Sequence, residues 1–196
     1  MKDLVQEFVF GEWVIKFYEA KDRPVTAQLA TYNRAYKSGE GDYFTNQIGI
    51  EVFEKGRLSS SCLIAADGGG TGITETTALI NHEGMVVCCG NTVFKLTLPD
   101  LNLVWQTVCD GATCFGIYYF QQGYVVHGEL EISRLDKAGN LLWQRGGMDI
   151  WTTLKGADDF AVYEHHIVAT DWGYNKYKFD ADGNLLEADN LGPVSE

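Results

Sequence analysis

The chain repeats itself, and the repeat limits the fold more than any other feature. Gly84-Met85-Val86-Val87-Cys88-Cys89 leads to Val93-Phe94-Lys95-Leu96 and closes on Leu103-Val104-Trp105. Gly123-Tyr124-Val125-Val126-His127-Gly128 leads to Ile132-Ser133-Arg134-Leu135 and closes on Leu141-Leu142-Trp143. A third copy runs Ile167-Val168-Ala169-Thr170, then Lys176-Tyr177-Lys178-Phe179, then Leu185-Leu186, with extra residues near Trp172-Gly173-Tyr174. Gly84 and Gly123 lie 39 residues apart, as do Leu96 and Leu135. Each copy is one supersecondary unit that cannot bury its apolar face alone and must stack on its neighbours.

Turn chemistry sets the form of the unit. Asp136-Lys137-Ala138-Gly139-Asn140 and Asp180-Ala181-Asp182-Gly183-Asn184 place Asp before a Gly–Asn pair that tolerates positive φ, between β-rich runs. Pro99-Asp100-Leu101-Asn102 holds the same place in the first copy. Each unit therefore reads as four strands, over about 72–110, 111–149 and 150–190. A degenerate unit fills the region before residue 72, within a single domain of residues 1–196. There Phe8-Val9-Phe10, Gly11-Glu12 and Trp13-Val14-Ile15-Lys16-Phe17-Tyr18 read as a hairpin, as do Ile48 to Phe53 and Arg57-Leu58. Thr26 to Lys37 contains helix formers, but a strand is expected, and the first strand is a candidate to complete the last unit.

Four-stranded units of about 40 residues have the period of propeller blades. The fold class expected is all-β: a propeller-like array of antiparallel units in a small or incomplete ring. Leu135-Asp136-Lys137-Ala138-Gly139-Asn140-Leu141-Leu142-Trp143 resembles the repeats of bacterial PQQ-like and WD40-like β-propellers, and Phe179 to Leu186 follows it until Glu187 replaces the Trp. The resemblance covers about residues 72–190 and implies the blade. Such repeats also serve as scaffolds without a quinone, so the family's function is not carried over and no cofactor is expected.

Charge narrows the partners. The net charge is -12, with a net of -3 over residues 1–96 and -9 over residues 97–196. Such a surface repels phosphate backbones and anionic membranes and suits a basic protein. The five cysteines show no metal-like pairing, and the first residues carry acids where a secretion signal needs an apolar run, so free buried thiols in the cytoplasm are expected. Cys88 and Cys89 are adjacent in a strand and should face opposite sides.

Few residues suggest chemistry. Ala66-Asp67-Gly68-Gly69-Gly70-Thr71-Gly72 resembles the phosphate loop of sugar kinases with an actin-like ATPase fold. Those enzymes need two domains and further nucleotide loops, for which a β repeat leaves no room, so a loop joining two strands is the simpler reading. His127 falls where the other copies have Cys88 and Ala169, which indicates packing rather than ligation. Asp180 to Asn184 lacks the register of a calcium loop. No nucleophile elbow is present, and an enzyme is disfavoured.

What remains is surface. Trp151, Trp172 and Tyr174 lie near turns of the third copy, close in sequence to Asp158, Asp159 and Asp171. Aromatic anchors in an acidic rim are what protein-binding hot spots contain, and the other reading of Trp151 and Trp172 is packing between blades. The expected function is a non-enzymatic, cytoplasmic binding protein with a basic protein partner, a toxin-neutralising immunity protein being one version. The alternative is a small-molecule or carbohydrate-binding protein or enzyme whose site lies at converging turns, around Asp67, Gly69 and Thr71 and the histidine turns at His82 and His165-His166.

Overall fold

The protein is described by a computed structural model over residues 3–20, 23–154 and 159–190. Its first sheet holds β1 (Asp3–Phe10), β2 (Trp13–Glu19), β3 (Ala35–Ser38), β4 (Asn46–Glu54) and β5 (Arg57–Ala66), in the order β1-β2-β4-β5-β3. A single helical turn, α1 (Val25–Gln28), precedes β3. The second sheet holds β6 (Ala78–Asn81), β7 (Gly84–Cys89), β8 (Thr92–Leu96) and β9 (Leu103–Val108). The third holds β10 (Cys114–Phe120), β11 (Gly123–Gly128), β12 (Ile132–Asp136) and β13 (Leu141–Arg145). The fourth holds β14 (Phe160–Val162), β15 (His166–Thr170), β16 (Asn175–Asp180) and β17 (Leu185–Asn190). The last three sheets are antiparallel meanders in chain order.

The sheets stack face to face in sequence order. Ile15, Phe17, Ile50 and Ile64 of the first meet Met85, Val87, Phe94 and Leu96 of the second. Val86 and Val93 of the second meet Ile117, Tyr124 and Val126 of the third. Val125 and Ile132 of the third meet Ile167, Ala169 and Phe179 of the fourth. Alternation along β7 sends Cys89 into the first of these cores and Cys88 into the next. Among the described residues no core joins the first sheet to the fourth, so the array is an open, propeller-like arc.

A clamp recurs between units. The indole of Trp105 lies against Gly139 of the next unit, and its Nε1 donates to Lys137 O at 3.3 Å. Trp143 lies against Gly183, with Nε1 donating to Ala181 O at 3.0 Å. Two residues beyond each Trp, Thr107 Oγ1 donates to Gly139 O at 2.6 Å and Arg145 Nε to Gly183 O at 2.7 Å. The first sheet holds the second through other groups: Tyr36 OH donates to Leu101 O at 3.0 Å, while Ser60 Oγ meets Pro99 O and Arg34 meets Asn102.

Both outer faces of the stack are finished for water. Val25, Tyr32 and Phe44 pack on Leu63 and Ala65, so residues 23–45 cover much of the free face of the first sheet. On the fourth sheet, cross-strand register puts Lys176 where the second and third have Val93 and Ile132. Glu187 and Asp189 stand in the Trp and donor positions, and Lys178 pairs with Glu187 at 3.4 Å. A polar outer face keeps a terminal repeat soluble.

Four expectations need correction. Thr26 to Lys37 is not a strand: Val25 N donates to Asp42 O, Thr26 N and Oγ1 to the Asp42 carboxylate, and Gln28 Nε2 to Ala20 O. Those bonds fold the segment onto the sheet, and extended pairing begins only at Ala35. β1 pairs with β2 in its own sheet rather than completing the last unit. The first sheet is five-stranded and mixed, because β3 runs parallel to β5. Finally, register places Thr170, not Ala169, in line with Cys88 and His127.

Candidate interaction surface

The units are linked at one end of the stack, and there the links are hydrogen-bonded into a continuous layer. Asn91 N donates to Asp67 O at 3.0 Å and Cys109 N to Asn91 O at 2.9 Å. Glu129 N donates to Thr113 O, Trp151 N to Glu129 O and Trp172 N to Ile150 O, each at 2.8 Å. Asp110, almost wholly buried, fixes the middle of this layer. Its Oδ1 accepts from Ala112 N and Thr113 N, and its Oδ2 from Leu130 N and Glu131 N, at 2.6 to 2.9 Å.

The glycine loop is a strap from the first sheet to the link between the second and third. Gly69 N donates to Ala112 O at 3.0 Å, and Gly69 O accepts from Asn46 Nδ2 and Thr113 Oγ1 at 2.9 and 3.2 Å. Thr71 N donates to Asn46 Oδ1 at 3.2 Å. At Gly68, φ is +113° and a Cβ would strike Ala112 O, so glycine is required for this close approach. The Gly69 and Thr71 amides are thus spent on the fold, which removes them as phosphate donors. Asp67 is exposed beside Gly39.

The predicted aromatic and acidic residues separate. Trp151 is fully buried: its Nε1 donates to Arg145 O at 3.1 Å and its ring meets Tyr177 edge-on at 5.0 Å. Its carbonyl accepts from His127 Nε2 at 2.6 Å. Asp171 is also fully buried, accepting from Asn175 N, Asn175 Nδ2 and Tyr177 OH. These two are core residues, which corrects the surface assignment of Asp171 and gives Trp151 its packing reading, because apolar bulk and a saturated hydrogen-bond shell both favour the interior. Trp172 stays 43% exposed, Tyr174 and Asp159 are half-buried, and Asp159 accepts from Thr152 Oγ1 at 3.2 Å. Asp158 lies outside the described residues.

The sequence reading missed apolar residues on the same turns. Leu130 is 42% exposed, Met148 85% and Leu154 72%. Leu130 lies on the β11–β12 turn, and Met148 sits on the link after Gly146-Gly147, its N–H donating to Tyr177 OH at 3.1 Å. Their signal was present but weak: large apolar residues inside polar, glycine-containing links. Glu129 and Glu131 flank Leu130 in the chain and Asp149 follows Met148, and burial, aided by Asp110, pushes the Glu131 carboxyl up from its ordinary value. Arg145, the last residue of β13, is committed to Gly183 O. Among the described residues no group of three or more His, Cys, Asp or Glu side chains is arranged to hold a metal ion.

The chain is a propeller-like β-repeat protein forming an open arc of four sheets. No family model matches the chain, and no curated protein matches it. It is similar in structure to BamB from Moraxella catarrhalis (TM-score 0.55, 13% identity, covering 100% of this chain and 54% of that one). It is also similar to the AfRom2 CNH domain (TM-score 0.52, 10% identity, 95% and 54%). The computationally designed Ika8 protein is a third likeness (TM-score 0.52, 12% identity, 98% and 63%). The chain spans less than two thirds of the length of each, and the likeness is one of fold.

Proposed function

We propose that this protein is a non-enzymatic binding module that recognises a basic protein partner through the linked turns of its third and fourth sheets. The observation that carries the reading is the set of exposed apolar residues, Leu130, Met148 and Trp172, on turns held by main-chain hydrogen bonds, with Glu129, Glu131, Asp149 and Asp171 beside them in the chain. Trp172 supplies rigid contact area and Met148 an adaptable apolar contact, and the acidic residues steer a basic partner. Propeller-like folds are used as interaction scaffolds, which agrees with this reading. The five free, buried thiols support action in a reducing compartment such as the cytoplasm.

Affinity capture from the protein's own cell lysate tests the proposal. The intact chain should retain a stoichiometric basic protein at low salt and release it as salt rises. A Leu130→Ala/Met148→Ala/Trp172→Ala variant, folded by its melting curve, should not retain it. Equal capture by both forms, or a melting temperature raised only by small molecules, would overturn it.

A further inference from the structure

We infer that Cys88 and Cys114 form a redox-modification site, at which hydrogen peroxide joins the two thiols in a disulfide that ties the second sheet to the third. Cys88 lies on β7, Cys114 opens β10, and both belong to the core between those sheets. Adjacent residues hold the two strands side by side. Thr76 O accepts from Ile117 N of β10 and Thr77 O from Cys88 N, each at 2.9 Å. The thiols share a hydrogen bond with each other. Both also line one cavity of about 10 Å³, room for a single water-sized molecule. Asn46, Gln47, Thr71 and Thr77 give this cavity a polar wall, and it reaches the exposed Gly72 of the glycine loop.

The other cysteines are placed elsewhere or committed. Cys62 and Cys89 belong to the core between the first and second sheets. The Cys89 thiol donates to Asn46 O at 3.6 Å, and the Cys109 thiol to Thr107 O at 3.4 Å. Cys109 shares the core of Cys88 and Cys114 but does not line the cavity. Hydrogen peroxide is little larger than water, so this cavity suits it and shuts out an alkylating reagent.

The chemistry balances with peroxide as the sole oxidant. The Cys88 sulfur, as thiolate, attacks the peroxide O–O bond; an S–O bond forms, hydroxide leaves, and the thiol proton converts it to water. The Cys114 sulfur then attacks the Cys88 sulfenic sulfur; the S–S bond forms, the S–O bond breaks, and a second water leaves. Two thiols are oxidised and one peroxide is reduced to two waters. The site involves none of Leu130, Met148 and Trp172, so it stands or falls apart from the binding surface.

The test exposes the intact chain to a slight excess of hydrogen peroxide, alkylates it in denaturant and maps its peptides by mass spectrometry with fragmentation. The chain should lose two hydrogen atoms, with Cys88 linked to Cys114, the other three cysteines alkylated, and the link reversed by dithiothreitol. The denatured chain, oxidised in the same way, should give mixed pairs. The link should vanish in Cys88→Ala and persist in Cys89→Ala and Cys109→Ala, each folded by its melting curve. A native link through Cys62, Cys89 or Cys109, sulfinic acid without a link, or dimers joined through cysteine would overturn the inference. So would five thiols left reduced by peroxide that oxidises free cysteine.

Discussion

The indole of Trp143 lies so close over Gly183 that a Cβ there would come within 2.7 Å of Cδ2. Gly183 has φ of +79°, so an added side chain meets both backbone strain and the ring. Gly183→Ala should therefore cost about 2–4 kcal/mol. Gly56→Ala, at φ of +78° with open space around it, should cost only about 1 kcal/mol. Chemical denaturation of both variants separates strain from contact, and equal losses would deny the clamp.

Removing the ring should act across the unit boundary. Trp143→Ala deletes its stacking on the 180–184 hairpin and the bond to Ala181 O, for a loss of about 2–4 kcal/mol. Amide exchange should quicken mainly in β16 and β17, one unit away from the substitution. Trp105→Ala should do the same to β12 and β13.

His127 makes stability fall in mild acid. Burial lowers its pKa below the ordinary value, and its Nε2–H is held by Trp151 O while the ring stacks on Phe160 at 4.5 Å. The unfolded chain takes up the proton first, so the contribution is full above about pH 6.5 and is lost as pH falls toward the lower folded value. His127→Gln should flatten that part of the stability–pH curve.

A second acid-sensitive step comes from the hairpins. Asp136 and Asp180 are held below the usual carboxylate range, first by the Asn140 and Asn184 side chains and then by backbone N–H groups. A depressed folded pKa stabilises above the unfolded value of about 4 and is lost as pH falls through the folded one. Carboxyl NMR titration should show both Asp residues ionised when ordinary carboxyls are half-protonated. Asn184→Ala should return Asp180 toward the ordinary range.

The thiols should report unfolding. Burial pushes the Cys62 thiol up to about 12 and raises Cys89 and Cys109, while a hydrogen bond with Cys88, and then burial, raises Cys114. Since the thiolate is the reactive form, the native protein should resist a thiol reagent that labels all five cysteines after denaturation. Rapid labelling of one cysteine in the native state would place it outside the packed cores.

Local signals reached as far as the units and no further. Gly139 and Gly183 were legible as turn residues, but the Trp that each accommodates comes from the preceding copy, so the clamp appears only once units are stacked. The α1 segment was misread because Asp42, which receives Thr26, lies 16 residues away and outweighs local preference. Asp171 was read as surface because turns usually are, and Trp151 was open to both readings, anchor or blade packing; the partner that decides it, His127, belongs to a strand that no local pattern connects to it. Leu130 and Met148 were missed for the converse reason, since apolar residues are ordinarily inside.

The most direct test of the binding function is hydrogen exchange on the protein with its captured partner bound. The turns at 129–131, 146–152 and 171–174 should slow, while the hairpins at 136–140 and 180–184, at the opposite end of the stack, stay unchanged. Protection confined to those hairpins, with the turns of Leu130, Met148 and Trp172 exchanging as in the free protein, would contradict it.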